Sequence, residues 1–149
     1  MRQAMFKKIL YPTDFSAHSK QCIDYILRMQ NCGVEEVVLL HVMDKRVVVY
    51  GSIMSDSALD EEMLIKECTE TAEKKLNEMA RIFQQAGIRT KTIARLGEPF
   101  AEILTVADEV DASLIVIGHR GHSTAEKLLL GSTAEKVVRK CKRPILLVR

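Results

Sequence analysis

Residues 117–133 read Ile117-Gly118-His119-Arg120-Gly121-His122-Ser123-Thr124-Ala125-Glu126-Lys127-Leu128-Leu129-Leu130-Gly131-Ser132-Thr133. An apolar run from Ala112 leads into this stretch, and a helical pattern, Ala134 to Lys140, follows it. Glycine permits positive φ and lets the main chain approach a ligand closely, and successive N–H groups in such a turn form an anion-binding nest. The stretch predicts a strand, an anion-binding turn and a helix in succession.

Apolar runs alternate with amphipathic patterns along the rest of the chain. The runs predict strands at Phe6–Tyr11, Val37–Val42, Ile88–Leu96, Ala112–Ile117 and Pro144–Val148. Apolar spacings of three and four predict helices from Asp14 or Ser16 to about Asn31, Asp60–Ala86, Pro99–Glu109 and Ser132–Cys141. The order β-α-β-α-β-α-β-α-β predicts a single α/β domain, residues 1–149, with one parallel sheet between two helical layers. The sheet orders 2-1-3-4-5 and 3-2-1-4-5 both remain open.

The connection from Met43 to Leu59 does not fit this alternation. Val47–Tyr50 would allow a short strand, but Gly51 and the serines after it are typical of a mobile connection. Long loops of this kind often act as lids. The sequence leaves the conformation of this segment open.

Composition limits the classes of partner and the compartment. The net charge is +2 and the chain has no tryptophan, which argues against nucleic-acid binding. The sequence has no recognisable signal peptide and no apolar run near 18 residues. We therefore expect a cytoplasmic protein that does not bind a membrane. The cysteines have no zinc or disulfide spacing, and we expect them reduced and mostly buried: Cys22, Cys32, Cys68 and Cys141. The basic residues near the end are interpreted as a solvated helix end: Arg139, Lys140, Lys142, Arg143 and Arg149.

The candidate site combines two strand ends. Ser132 and Thr133 open the last helix, where free N–H groups and the helix dipole attract phosphate. Cations could come from His119, Arg120 and His122, whereas these histidines lack a carboxylate partner that would favour a metal site. In a 3-2-1-4-5 sheet, Thr13 and Asp14 after the first strand would share the crevice with this loop. His18 is interpreted as a surface residue, and His41 as a core residue that needs a hydrogen-bond partner.

Four segments of the chain resemble sequence elements of one known protein family. The spacing Gly118-x2-Gly121-x9-Gly131-Ser132-Thr133 matches the G-2x-G-9x-G-(S/T) signature of the ATP-binding branch of the universal stress protein family. Its first-strand element is similar to Tyr11-Pro12-Thr13-Asp14-Phe15-Ser16, and its second strand ends like Leu40-His41-Val42. Its closing strand resembles Arg143-Pro144-Ile145-Leu146-Leu147-Val148. The resemblance covers essentially the whole chain.

The resemblance implies a Rossmann-like, adenine nucleotide alpha hydrolase-like α/β/α sandwich of order 3-2-1-4-5. It implies that Asp14 contacts the ribose and that the main chain of Val42 recognises adenine. The complete implied binding set is Pro12, Thr13, Asp14, Val42, Ile117, Gly118, His119, Arg120, Gly121, His122, Gly131, Ser132 and Thr133. ATP or AMP is the implied ligand, with Mg²⁺ or Mn²⁺ allowed on the phosphates. A homodimer through Ile145–Val148 and a role in the stress response are implied as well.

Other functions fit the sequence less well. A P-loop NTPase is disfavoured because no G-x-x-x-x-G-K-[ST] occurs, and a flavodoxin because the loop after the first strand has no glycine. No base is paired with a nucleophile, so at most slow ATP hydrolysis is expected, and no catalytic residue is assigned. Two classes remain: a nucleotide-dependent regulatory protein, and an interaction protein of the same fold with a vestigial pocket.

Overall fold

One parallel sheet organises the molecule. The computed structural model describes residues 4–54, 61–120 and 130–149. Its strands are β1 (Lys8–Pro12), β2 (Glu36–Asp44), β3 (Arg89–Gly97), β4 (Leu114–Gly118) and β5 (Ile145–Val148). Their spatial order is β3-β2-β1-β4-β5, with parallel pairing throughout. This confirms the order 3-2-1-4-5, excludes 2-1-3-4-5, and places the alternating strand β3 at an edge, as predicted.

Helices cover both faces of the sheet. They are α1 (Ala17–Lys20), α2 (Cys22–Arg28), α3 (Lys45–Met54), α4 (Glu61–Gln85), α5 (Pro99–Glu109) and α6 (Ser132–Lys140). In β1, Ile9 and Tyr11 enter a core with α2 and α4, whereas Leu10 between them enters a second core with α5 and α6. Successive strand residues point to opposite faces, and burial on both faces explains why β1 and β2 are apolar nearly without interruption.

The first predicted helix is divided. Ser16 is its N-cap, because its Oγ accepts a hydrogen bond from the Ser19 N–H at 3.1 Å. Helix α1 ends at Lys20, α2 starts at Cys22, and a 3₁₀ turn, Met29–Cys32, follows. Gly33 ends the turn with a φ of 96°. Gly87, predicted to end the long helix in a left-handed conformation, has a φ of 84°.

Part of the connection whose conformation the sequence left open forms the helix α3, so the short strand allowed at Val47–Tyr50 is not present. The carboxylate of Asp44 accepts a hydrogen bond from the Arg46 N–H at 2.9 Å, which satisfies one of the free donors in the first turn. Val48 is buried, whereas Val47, Tyr50 and Ile53 are exposed. Capping and burial outweigh the strand preference of a valine run. Residues 55–60, which hold the end of the predicted connection and the predicted start of the long helix at Asp60, lie outside the described residues.

Two further expectations need correction. Cys22 is buried, and burial raises the pKa of its thiol to about 12, but Cys32 is exposed and Cys68 and Cys141 are only half-buried. The prediction of mostly buried cysteines is therefore wrong. Their spacing carries no information about the face on which each one lies.

Arg143 does not belong to a freely solvated helix end. Its guanidinium donates to the Ala112 carbonyl at 2.7 Å and lies 3.1 Å from a carboxylate oxygen of both Asp108 and Asp111. It thereby ties the segment before β5 to the turn between α5 and β4. In the described part of the chain, no helix is long and apolar enough to cross a membrane.

Candidate functional site

A cavity of about 800 Å³ lies at the carboxyl ends of the strands. Ligands bind at this position in open α/β sheets, next to the point where the strand order reverses. Residues from β1, β2, β4, α3, α4, α5 and the start of α6 line it. The predicted site residues among them are Pro12, Thr13, Asp14, Val42, Ile117, Gly118, Arg120, Gly131, Ser132 and Thr133. The fold thus brings together residues more than 100 positions apart.

A tight turn after β1 presents the Asp14 carboxylate. Thr13 is 5% exposed, and its Oγ1 accepts hydrogen bonds from the Phe15 N–H at 3.0 Å and the Ser19 hydroxyl at 2.7 Å. Asp14 Oδ1 accepts from the Ser16 N–H at 3.0 Å. Phe15 has a φ of 65°, uncommon for a bulky residue. The bonds to Thr13 and Asp14 hold the turn in this conformation.

The main chain of Val42 faces the space beyond the end of β1. The Glu36 N–H donates to the Lys7 carbonyl at 3.1 Å, and the Leu40 carbonyl accepts from the Thr13 N–H at 2.8 Å. The main-chain groups of the even-numbered residues of β2 therefore point to β1. The N–H and C=O of one residue in a parallel strand point to the same side. The chain turns after Thr13, whose carbonyl lies 2.8 Å from Nδ1 of His41. The donor and acceptor of Val42 therefore point into the cavity region where β1 has ended.

His41 is half-buried rather than a core residue. It lines the cavity, and its ring lies 4.6 Å from the Phe15 ring, centroid to centroid. The expected hydrogen-bond partner is present, since the Thr13 carbonyl can only accept and Nδ1 must carry the proton. The apolar neighbours of His41 in the sequence indicated the core, but the end of β2 extends past β1 and leaves this side chain at the cavity.

The N-terminus of α6 forms the other side of the site. Gly131 is the N-cap with φ −66° and ψ 152°, and no side chain of a described residue caps the helix. Ser132 is thus the first helical residue and not the cap. The first-turn N–H groups of Ser132 and Thr133 are orphan donors beside the cavity. With the helix dipole, they form a site suited to an anion.

Close packing, and not an unusual φ, explains the glycine at the end of β4. A Cβ on Gly118 would lie 3.2 Å from the His18 carbonyl oxygen and 3.3 Å from Ser19 Cα. Neither Gly118 nor Gly131 has a positive φ, so the conformational argument made for these two glycines is wrong. Gly121 lies outside the described residues.

His119 is placed away from the cavity lining. Its N–H and its ring Nδ1 lie 2.8 and 3.1 Å from the Val148 carbonyl, and its ring contacts that of His18. Its own carbonyl accepts from the Gly131 N–H at 2.6 Å. The main chain of His119 therefore joins the end of β4 to β5 and to Gly131, because the N–H groups of alternate residues from Ile115 to His119 point to β5. The predicted site residue His122 lies outside the described residues.

Helices α3 and α4 supply cavity residues that the sequence did not indicate. Val47, Val48, Leu64, Cys68 and Lys75 lie along this wall. The alternation of polar and apolar residues showed which side of α4 is buried, but not that its first turns reach the strand ends. Asp44 also lines the cavity, and its hydrogen bond from the Arg46 side chain lowers the pKa of its carboxyl below the ordinary value.

No cluster suited to bind a metal directly is found among residues 4–54, 61–120 and 130–149, since no three His, Cys, Asp or Glu side chains converge there. The arrangement instead provides hydrogen-bond donors and acceptors. A carboxylate, a main-chain donor and acceptor pair, and a helix N-terminus surround one cavity. Such a site can hold a ligand with a polar ring edge, hydroxyl groups and an anionic end.

Solved structures share this fold. The structure of MJ0577 is 33% identical to this chain, with a TM-score of 0.86 over 97% of this chain and 96% of that one. A universal stress protein from Archaeoglobus fulgidus in complex with dAMP is 22% identical, with a TM-score of 0.64 over 99% of this chain and 100% of that one. One in complex with cAMP is also 22% identical, with a TM-score of 0.64 and 97% of both chains covered. At this identity the last two show a common fold.

Sequence comparison gives the same relationship. The chain is 31% identical to Universal stress protein MJ0577 of Methanocaldococcus jannaschii, over 97% of this chain and 96% of the relative. It is 32% identical to Universal stress protein YxiE of Bacillus subtilis, over 97% and 100%. A model of the Universal stress protein family matches residues 5–149. The chain belongs to the universal stress protein family.

Proposed function

We propose that this protein binds an adenine nucleotide, ATP or AMP, and acts as a nucleotide-dependent regulatory protein in the stress response. The observation that carries the proposal is the convergence of the Val42 main chain, the Asp14 carboxylate and the α6 N-terminus on one cavity. The cavity volume of about 800 Å³ lies within the range for small-molecule sites.

Each part of the nucleotide has a matching group. The Val42 N–H and C=O would pair with the acceptor and donor on the adenine edge. Asp14 would accept hydrogen bonds from the ribose hydroxyls. The free N–H groups of Ser132 and Thr133, together with Arg120, would hold the phosphates. Mg²⁺ or Mn²⁺ would be held mainly through phosphate oxygens, since hard cations prefer oxygen ligands.

Related proteins support this proposal. Family members of the same fold have been solved with dAMP and with cAMP, and both ligands contain adenine and a phosphate. We extend this ligand class to the present chain. We also propose that the protein works in the cytoplasm as a homodimer through β5.

Regulation would act through α3. Val47 and Val48 of this helix line the cavity, so an occupied cavity would change the packing of α3. Tyr50, Ile53 and Met54 of the same helix form an exposed apolar surface, each being between 65% and 74% exposed. A ligand-dependent change in this surface would alter what the protein can bind.

Isothermal titration calorimetry tests nucleotide binding directly. We expect heat from ATP and AMP and none from ribose 5-phosphate at equal concentration. Gly131→Val should abolish the heat with ATP while leaving the far-UV circular dichroism unchanged, because a branched side chain enters the phosphate position. Gly51→Val is the matched control, since nothing lies within 4 Å of a Cβ added there. No heat at millimolar ATP for the unaltered protein would refute the proposal.

A second function is favoured by the exposed apolar residues of α3, which fit an interaction protein that does not depend on nucleotide. The same titration separates the two, because such a protein gives no heat with ATP. Slow hydrolysis is tested by incubating ATP with the protein and Mg²⁺ or Mn²⁺. ATP that remains intact over hours counts against it.

A further inference from the structure

Lys75 brings a cation to the cavity from α4. It lines the cavity, and its Nζ lies 5.2 Å from the centroid of the Phe15 ring. Among the ion pairs between described residues, none involves Lys75. The ammonium is thus placed by an aromatic ring rather than neutralised by a carboxylate, and it keeps its positive charge available to a ligand.

The ring under this ammonium is held in place by several contacts. Phe15 has a φ of 65°, its N–H donates to Thr13 Oγ1, and its ring lies against that of His41. Residues held in sparsely populated backbone conformations are concentrated at functional sites, where the surrounding structure holds them. The strained conformation turns Phe15 towards α4, and so determines where Lys75 meets the cavity.

The location of Lys75 differs from that of the proposed phosphate donors. Helix α4 packs on the face of the sheet that contains Tyr11, whereas α6 packs on the opposite face with Leu10. Phe15 follows Asp14 directly, so Lys75 reaches the end of the cavity where Asp14 would hold the ribose. In dinucleotide-binding folds, an acidic residue binds a free ribose hydroxyl, or a cation nearby accommodates a phosphate on that hydroxyl.

We propose that Lys75 is a further ligand-binding residue, which gives the site a preference for adenosine nucleotides that carry a second phosphate on a ribose hydroxyl. This inference rests on the proposed nucleotide function and specifies its ligand class. The 5′-phosphate would lie at α6, and Asp14 would accept a hydrogen bond from the ribose hydroxyl that remains free. The second phosphate would accept a charge-assisted hydrogen bond from Lys75 on the other side of the ribose.

Calorimetric titration with AMP and with adenosine 3′,5′-bisphosphate at constant ionic strength tests this assignment. We expect the unaltered protein to bind the bisphosphate roughly tenfold more tightly than AMP, the effect of one charge-assisted hydrogen bond. Lys75→Met keeps the aliphatic stem and should remove most of that ratio, and Lys75→Arg should retain it. Lys74→Met is the matched control, because Lys74 is an exposed neighbour on the same helix that does not line the cavity.

The outcomes separate the two proposals. Equal affinities for AMP and the bisphosphate, or an undiminished ratio in Lys75→Met, overturn the assignment of Lys75 while leaving nucleotide binding intact. A similar loss in Lys74→Met would mean a general charge effect and would overturn it as well. If AMP, ATP and the bisphosphate all fail to bind, the result refutes both the nucleotide function and the inference about Lys75.

Discussion

At the scale of the residue, Gly118 shows how close packing restricts a site position. Its neighbours are the carbonyl oxygen of His18 and the Cα of Ser19, both main-chain atoms. A flexible side chain could rotate away from a new methyl group, but a helix backbone must shift as a unit. The contact couples the end of β4 to α1, which follows the turn that carries Asp14.

Gly118→Ala should lower the free energy of unfolding by about 1–3 kcal/mol, as expected for overpacking in a well-packed interior. Gly51→Ala should raise it by about 0.5–1 kcal/mol, because Gly51 lies inside α3 with open space around it. Urea unfolding followed by circular dichroism measures both. Equal stabilities of the two variants would contradict the packing argument.

At the scale of the element, β5 forms one edge of the sheet, and alternate residues along it form main-chain hydrogen bonds with β4. The Ile115 N–H donates to the Pro144 carbonyl at 2.9 Å, and the His119 N–H donates to the Val148 carbonyl at 2.8 Å. The main-chain groups of residues 144, 146 and 148 therefore point to β4. By alternation, the N–H and C=O of Ile145 and Leu147 face outward. An apolar strand with a free edge is prone to pairing with another chain, which is the basis of the proposed homodimer.

Leu147→Pro should convert the proposed dimer to a monomer, because proline removes an outward N–H while the bonds to β4 remain. Leu147→Ala is the control, since it loses the same side chain but keeps the N–H. Size-exclusion chromatography with light scattering distinguishes the two states. A Leu147→Pro protein that is still dimeric, or an unaltered protein that is monomeric, would exclude β5 as the interface.

At the scale of the whole molecule, the site joins segments from both halves of the chain. Asp14 and Val42 come from the first half, and Gly131 and Ser132 from the second. A ligand that contacts both halves binds only the folded protein, so binding must raise the stability of the entire domain. The extent of this effect depends on the affinity and not on any one contact.

ATP at about 100 times its Kd should stabilise the fold by about 2.7 kcal/mol, which corresponds to a rise in Tm of roughly 5–10 °C. GTP should have a much smaller effect, because guanine presents the reverse donor and acceptor pattern to the main chain of Val42. Differential scanning calorimetry measures both shifts. An equal rise with GTP would show that Val42 does not recognise the base.

The strand positions could be predicted because β1, β2 and β4 are buried on both faces, and their apolar runs are visible without any partner. The helix α3 could not, since a run of three valines favours a strand in isolation. Only the cap at Asp44 and the burial of Val48 favour the helix. The segments at Asp14 and at Gly118 were recognisable as site candidates that would share one crevice in a 3-2-1-4-5 sheet, and the resemblance implied that this crevice binds a nucleotide. By contrast, Lys75 and Phe15 are 60 positions apart, and no periodicity relates them.

The sequence by itself determined the five strands, the helical segments between them other than α3, and the parallel class of the sheet. These follow from local preferences, which depend on neighbours a few residues away. Tertiary structure alone decided between the two strand orders that the residue pattern left open. It also decided that His119 turns to Val148, that the Val42 main chain faces the cavity, and that Lys75 meets Phe15 there. These depend on hydrogen bonds and packing between distant segments, which form only when the whole chain has folded.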